Sequence, residues 1–128
     1  MDTISNFIIK VKNAGNAGLS SVSVPHSKLK LAIAQVLKKE GFVKDVEEKS
    51  EKGKKVISIT LISENRIPKI KGVTRISKPS KRLYKKASDI RSVKSGYGAL
   101  ILSTSAGVMT GKEAKAKSLG GEALFSIW

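Results

Sequence analysis

The closing segment of the chain, from residue 99 onward, constrains the fold more than any other part. An apolar run at 99–102 leads into a hydroxyl-rich segment at 103–105, and a second apolar run at 123–128 follows the glycine pair 120–121. Runs of this length, separated by turn-forming residues, are typical of strands. The segment therefore predicts a β-rich unit in which the final strand lies beside residues 99–102.

A short helix is predicted between these two strands. Thr110 and Glu113 have the spacing of a capping box, in which the threonine hydroxyl accepts a hydrogen bond from the Glu113 amide and the carboxylate reaches back to the Thr110 amide. We expect the helix to span residues 111–117.

The first half of the chain predicts two amphipathic helices. One begins near Thr3 and spans 3–14, with Gly15 and Gly18 ending it; the other follows the cap Ser27 and ends at Gly41. In both, apolar residues recur at the spacing of one helical face. They are Ile4, Phe7, Ile8 and Val11 in the first helix, and Leu29, Ile33, Val36 and Leu37 in the second.

Three strands complete an α-β-α-β-β pattern. We expect them at 21–24, ended by Pro25, at 42–46 and at 56–62, where apolar and polar residues alternate, with the charged segment 47–55 as a hairpin loop. The sequence thus predicts an α+β fold of two small domains, an N-terminal α/β domain at 1–64 and a C-terminal β-rich domain with a short helix at 65–128.

The start of the second half is less regular. A strand at 70–76, a basic turn at 79–86 and at most a helical turn at 89–93 are predicted there, before Gly96 and Gly98 bracket Tyr97.

Charge indicates the class of partner. The chain carries a formal net charge of +15, and residues 66–94 hold eleven Lys or Arg, including all four arginines, against the single acid Asp89. Such a chain repels itself unless a polyanion offsets the charge. Nucleic acid or an anionic membrane could offset this charge, but the apolar runs fall far short of the roughly 20 residues of a membrane span, so insertion is not expected. We expect nucleic acid as the partner and no membrane.

Catalytic and metal sites are not indicated. His26 has no second ligand at metal spacing, and the acids of segment 47–55 alternate with lysines as in a solvated loop. The segment from Gly107 to Lys112 has one residue too few for a phosphate-binding loop, and Glu113 stands where Ser or Thr must follow. We expect neither an enzyme nor a cofactor nor a small-molecule substrate, and the absence of cysteine fits the cytoplasm.

Segment 103–105 has two interpretations that the residues leave open. Small hydroxyl residues form an ordinary exit from a strand into a turn. Alternatively, their hydroxyls contact base edges, 2′-hydroxyls and phosphates of a nucleic acid, and nearby glycines let the backbone approach it. The basic run around Tyr84 favours the second interpretation, because cations supply affinity and a tyrosine stacks on an unpaired base.

Four motifs stand in order along the chain: Ser27-Lys28-Leu29-Lys30, Ser77-Lys78-Pro79 with Arg82-Leu83-Tyr84, the segment 103–110, and Gly120-Gly121-Glu122. Together they resemble, nearly end to end, the bacterial form of the eighth protein family of the small ribosomal subunit. The resemblance implies an α-β-α-β-β domain followed by a β-rich domain. It also implies early, direct binding to the central domain of the small-subunit ribosomal RNA.

The same resemblance implies the contact residues. In the C-terminal domain, which would meet the minor groove of a distorted RNA helix, they are Ser103, Thr104, Ser105, Gly107, Gly120, Gly121, Glu122, Tyr84, Arg82 and Lys85. In the N-terminal domain, where they would face RNA backbone, they are Lys10, Lys12, Asn13, Ser27, Lys28 and Lys30. The carboxylate of Glu122 would accept from a base amino group or a 2′-hydroxyl.

We therefore expect a structural constituent of the cytoplasmic ribosome that binds ribosomal RNA, contacts neighbouring small-subunit proteins and supports assembly. The charge alone also fits a general nucleic-acid-compacting protein or an RNA chaperone, which would bind arbitrary duplexes equally well. An RNA-modifying enzyme would need a general base or a cofactor pocket, and the sequence shows neither.

Overall fold

A computed structural model describes residues 3–64, 67–77, 81–90 and 98–128. It contains two compact units, Thr3–Lys71 and Gly72–Trp128. Helices and antiparallel sheets make up both, which confirms the α+β prediction. A boundary after residue 64 between independently folding domains stays a prediction.

The first unit has the predicted α-β-α-β-β order. Its strands form an antiparallel sheet in the order β1-β3-β2, with α1 packed on β1 and α2 on β2. A short ladder joins two further strands of two residues each. The elements are α1 (Thr3–Asn16), β1 (Ser21–Pro25), α2 (Lys28–Lys39), β2 (Val43–Glu51), β3 (Lys54–Leu61), β4 (Ser63–Glu64) and β5 (Ile67–Pro68).

The helix ends follow from local hydrogen bonding. The Ser27 hydroxyl accepts from the Lys30 amide at 3.1 Å, as predicted for the cap of α2. Helix α1 runs two residues beyond its predicted end at 14 and includes Gly15. It ends where Gly18 takes a φ of +77°, because this left-handed conformation lets the Leu19 amide bond the Ala14 carbonyl at 3.0 Å.

The predicted loop at 47–55 is wrong. Strands β2 and β3 continue through it, with Glu51 paired to Lys54. Only Lys52 and Gly53 form the turn, at φ +50° and +78°. Two residues with positive φ match the right-handed twist of the flanking strands, so a two-residue hairpin forms. The charged side chains of this region therefore lie exposed along a ribbon.

The carboxylate of Asp45 links β2 to α2. A hydrogen bond from the Lys38 ammonium at 3.1 Å and one from the Val46 amide at 2.9 Å hold the pKa of Asp45 below its ordinary value. The fold thus favours the charged form, and the stability this gives is complete above about pH 3.9, the pKa in the unfolded chain, and is lost as pH falls further.

We predict that Asp45→Asn is less stable than the wild type at pH 7 and that this difference in urea midpoint shrinks as pH falls below about 3.9. Asparagine keeps the oxygen that accepts from Val46 and removes only the charge. Urea denaturation at a series of pH values measures the difference. A gap that stays constant down to pH 2 would contradict the assignment.

The second unit is built on β10. Strand β10 pairs with β8 on one side and with both β6 and β7 on the other, and β9 pairs with the outer edge of β8. The predicted pairing of the final strand with residues 99–102 is confirmed. The elements are β6 (Val73–Arg75), β7 (Tyr84–Lys85), a 3-10 turn (Ala87–Asp89), β8 (Ala99–Thr104), β9 (Gly107–Thr110), α3 (Gly111–Ala116) and β10 (Gly121–Ile127).

Several predictions in this unit need correction. The strand expected at 70–76 is only Val73–Arg75, and the basic turn expected at 79–86 contains the short strand β7, because β10 offers it a free edge. A 3-10 turn lies at Ala87–Asp89, while most of the helical turn expected at 89–93 falls on residues outside the described part of the chain. Residues 78–80 and 91–97, which include Tyr97, lie outside the described part of the chain.

Helix α3 begins as predicted. The Thr110 hydroxyl accepts from the Glu113 amide at 3.2 Å and lies 3.4 Å from the Glu113 carboxylate. The helix packs on β8 and β9 and closes an aliphatic core. That core comprises Ile90, Leu100, Leu102, Met109, Ala114 and Ala123.

Candidate nucleic-acid interface

Three predicted contact residues form a row across the sheet of the second unit. Glu122 in β10 is paired with Tyr84 of β7 on one side and with Ser103 of β8 on the other. Directly paired residues of antiparallel strands project from the same face. This pairing brings an aromatic ring, a carboxylate and a hydroxyl to one surface, although Tyr84 and Glu122 are 38 residues apart in the sequence.

Arg82 adds a positive charge next to this row of three residues. Arg82 Nη1 lies 3.5 Å from Glu122 Oε1, and the two side chains are 62% and 15% exposed. The carboxylate is therefore mostly buried and the guanidinium mostly in solvent. Such a contact brings Arg82 next to Glu122 and leaves guanidinium donors available to a further acceptor.

Tyr84 is the most exposed large hydrophobic residue of the described chain, at 70%. Lys85, the next residue, is half-buried and paired with Gly121. Tyr84 belongs to β7 and is paired with Glu122, so its exposed ring lies at a defined place in the sheet. Such a ring suits stacking on a base.

The hydroxyl-rich segment leads from a strand into the turn of a hairpin. Ser103 and Thr104 belong to β8, residues 107–110 form the unpredicted strand β9, and only Ser105 and Ala106 lie between them. The Thr104 hydroxyl accepts from the Ala106 amide at 3.2 Å and donates to the Gly107 carbonyl at 2.8 Å. It thus fixes the turn.

Ser105 stands apart within this hairpin. Its side chain is exposed at the tip, beside Gly107, which has a φ of +113° and open space around it. Among the described residues no hydrogen bond engages the Ser105 hydroxyl. This hydroxyl is therefore available to a ligand.

The two central glycines allow the strands to approach. A Cβ on Gly120 would lie 2.6 Å from the Lys85 carbonyl oxygen, and one on Gly121 would overlap the Ser103 carbonyl. Real Cβ atoms are never so close to backbone. Only glycine at both positions lets β10 carry Glu122 between β7 and β8.

Ser77 is a buried polar residue that the sequence analysis did not include among the contact residues. It is fully buried, and its hydroxyl accepts from the Leu83 amide at 2.8 Å and donates to the Leu83 carbonyl at 3.2 Å. Leu83 immediately precedes Tyr84. The sequence analysis grouped Ser77-Lys78-Pro79 with Arg82-Leu83-Tyr84 as a family motif, but no local pattern indicated the hydrogen bonds between Ser77 and Leu83.

The remaining predicted contact residues lie in the first unit. On α1, Lys10 and Asn13 are exposed and Lys12 is half-buried; the Lys10 ammonium donates to the Ser23 carbonyl at 2.9 Å. At the start of α2, Ser27 is engaged as the cap, Lys28 is exposed and Lys30 is half-buried. The helices thus present two groups of polar side chains.

Metal and membrane sites are not found in the described ranges. There, no three His, Asp or Glu residues gather where an ion would be held, and His26 instead lies 3.0 Å from Glu48 in an exposed pair. No helix in these ranges has both the length and the apolar character to cross a membrane.

Comparison with known proteins identifies the family. The family model described as Ribosomal protein S8 matches residues 2–128. The chain is 45% identical to the small ribosomal subunit protein uS8 of Roseiflexus castenholzii, covering 99% of this chain and 97% of that one. It is 43% identical to the uS8 proteins of Mycoplasma capricolum, covering 99% and 98%, and of Thiobacillus denitrificans, covering 96% and 94%. The chain therefore belongs to the ribosomal protein S8 family, whose members are structural, non-enzymatic proteins of the small ribosomal subunit.

Proposed function

We propose that the protein binds directly to the central domain of the small-subunit ribosomal RNA and supports its assembly, with the second unit as the specific contact. The observation that carries this proposal is the row of Tyr84, Glu122 and Ser103 across three strands, with Arg82 paired to the carboxylate. Aromatic, acceptor, hydroxyl and cationic groups on one surface are the side chains that recognise an irregular RNA helix.

Each group has a distinct task. Tyr84 stacks on an unpaired base, and Arg82 reaches phosphate from its place beside Glu122. The Ser103 and Ser105 hydroxyls both donate and accept, so they suit 2′-hydroxyls and base edges in a shallow minor groove. Glu122 accepts from a base amino group or a 2′-hydroxyl, while Arg82 offsets the repulsion between this carboxylate and the RNA backbone.

The polar groups on α1 and α2 supply affinity that does not depend on sequence. The lysines meet phosphates and release counterions, and the neutral Asn13 amide donates a hydrogen bond; these lysines are Lys10, Lys12, Lys28 and Lys30. The family motifs support this proposal, as does the exposure of Lys10, Asn13 and Lys28. Neighbouring small-subunit proteins are the other partners we propose.

The test is chemical footprinting and binding on a transcript of the central domain. Ser105→Ala removes one hydroxyl, so we expect affinity to fall roughly threefold to tenfold, the range of a hydrogen bond. Protection should be lost locally, and the salt slope should not change, because no charge is removed. Ser50→Ala, at an exposed serine of the β2–β3 ribbon, is the matched control.

Two outcomes would contradict the proposal. If Ser105→Ala binds and protects as the wild type does, the hydroxyl readout fails. If the wild type protects arbitrary duplex DNA as readily as the central-domain transcript, a general nucleic-acid-compacting protein or RNA chaperone is the better description.

A further inference from the structure

We propose that Ser77 is a positioning residue for RNA recognition: its buried hydroxyl fixes the backbone of Leu83 and thereby the place of Arg82 and Tyr84 beside Glu122. This inference rests on the proposed function and deepens it. Ser77 itself is fully buried, so it touches no ligand.

The hydroxyl engages both backbone groups of one residue. It accepts from the Leu83 amide at 2.8 Å and donates to the Leu83 carbonyl at 3.2 Å, so Leu83 cannot rotate without breaking one of the two bonds. A buried hydroxyl requires partners, and the backbone of a single residue supplies the Ser77 hydroxyl with both a donor and an acceptor.

Strand β10 completes the arrangement. The Ser77 amide donates to the Ala123 carbonyl at 3.0 Å, and the Ala123 amide donates to the Leu83 carbonyl at 2.9 Å. Ser77, Leu83 and Ala123 therefore form a closed ring of hydrogen bonds. Tyr84 follows Leu83 and Glu122 precedes Ala123. These two residues are directly paired in the row.

This ring explains how a two-residue strand holds an exposed tyrosine. β7 comprises only Tyr84 and Lys85, and a strand of that length is weak by itself. The ring anchors it through Leu83, the residue that precedes the strand. Without the Ser77 hydroxyl, the Leu83 amide loses that acceptor, and we expect Tyr84 and Arg82 to occupy several positions instead of one.

The experiment compares Ser77→Ala with Ile127→Val, a small truncation of a fully buried residue at the opposite end of β10. Binding to the central-domain transcript is measured under conditions in which circular dichroism shows both variants folded. We expect Ser77→Ala to bind about tenfold more weakly than the wild type, within the range of losing one stacked base. Ile127→Val should bind as the wild type does.

A second measurement separates positioning from general destabilisation. In the background of Arg82→Ala with Tyr84→Ala, the further change Ser77→Ala should weaken binding by less than twofold, because the groups it positions are gone. Hydrogen exchange should also be faster at the Leu83 and Ala123 amides of Ser77→Ala and unchanged at those of α2.

The outcomes are distinct. If the wild type binds the transcript, two results would overturn the positioning role. One is wild-type affinity in Ser77→Ala. The other is a full tenfold loss caused by Ser77→Ala even when Arg82→Ala and Tyr84→Ala are already present. Failure of the wild-type protein to bind the transcript would overturn the proposed function, and the positioning role with it.

Discussion

Gly121→Ala is expected to destabilise the protein by about 3 kcal/mol, at the upper end of the cost of overpacking. The added Cβ overlaps the Ser103 carbonyl oxygen and comes within 3.0 Å of Thr104 Cγ2. These atoms belong to the backbone and side chain of a paired strand, so β8 must move away from β10. With a typical urea dependence, the midpoint of unfolding should fall by about 1.5 M.

The same change should impair RNA binding beyond its effect on stability. Moving β8 separates Ser103 from Glu122, so the row loses its hydroxyl. In conditions where Gly121→Ala remains folded, we expect affinity for the central-domain transcript to fall at least about tenfold, as for the loss of several hydrogen bonds.

Gly53→Ala provides the matched control. Gly53 has a φ of +78° with nothing near its Cβ position, so alanine there meets conformational strain but no overlap. The expected cost is about 1 kcal/mol, with RNA affinity unchanged. If Gly121→Ala were no less stable than Gly53→Ala, the close approach of β10 to β8 would be contradicted.

Salt should weaken RNA binding by about a thousandfold between 50 and 200 mM, if six side-chain cations each release counterions from phosphate. The six are those proposed as contacts: Lys10, Lys12, Lys28, Lys30, Arg82 and Lys85. Fluorescence anisotropy with a labelled central-domain transcript measures the dissociation constant across the series. The slope of the logarithm of the dissociation constant against the logarithm of the salt concentration reports the number of phosphate contacts.

Variants test which cations contribute. Lys28→Gln with Lys30→Gln should reduce the slope by about two, one for each lost contact. Lys49→Gln with Lys52→Gln removes the same charge from the exposed β2–β3 ribbon, outside the proposed interface, and should leave the slope unchanged. Equal reductions in both variants would show that affinity follows net charge instead of these positions.

Local patterns in the sequence were sufficient for most elements. The spacing of Phe7 and Val11 predicted α1, Ser27 predicted the start of α2, and Thr110 with Glu113 predicted the start of α3. These signals depend on a few neighbouring residues, because caps and helical faces repeat within one or two turns. The alternation of apolar and polar residues that predicted β3 is a local signal of the same kind.

Strands that form only by pairing with another strand were harder to predict from the sequence. Strand β9 and the two-residue β7 have no periodic pattern of their own and exist because β8 and β10 offer them edges. The charged ends of β2 and β3 were assigned to a loop, since nothing in their composition indicates a strand until the turn at Lys52 and Gly53 sets the register.

The sequence by itself determined the strongly positive charge, the α+β composition and the family, because charge, apolar periodicity and family motifs are properties of the chain itself. Only the tertiary structure decided how residues far apart in the chain combine. Pairing across β7, β10 and β8 is a long-range event, and it joins Tyr84, Glu122 and Ser103 in one row. The same packing buries the Ser77 hydroxyl against Leu83, which no local pattern specifies.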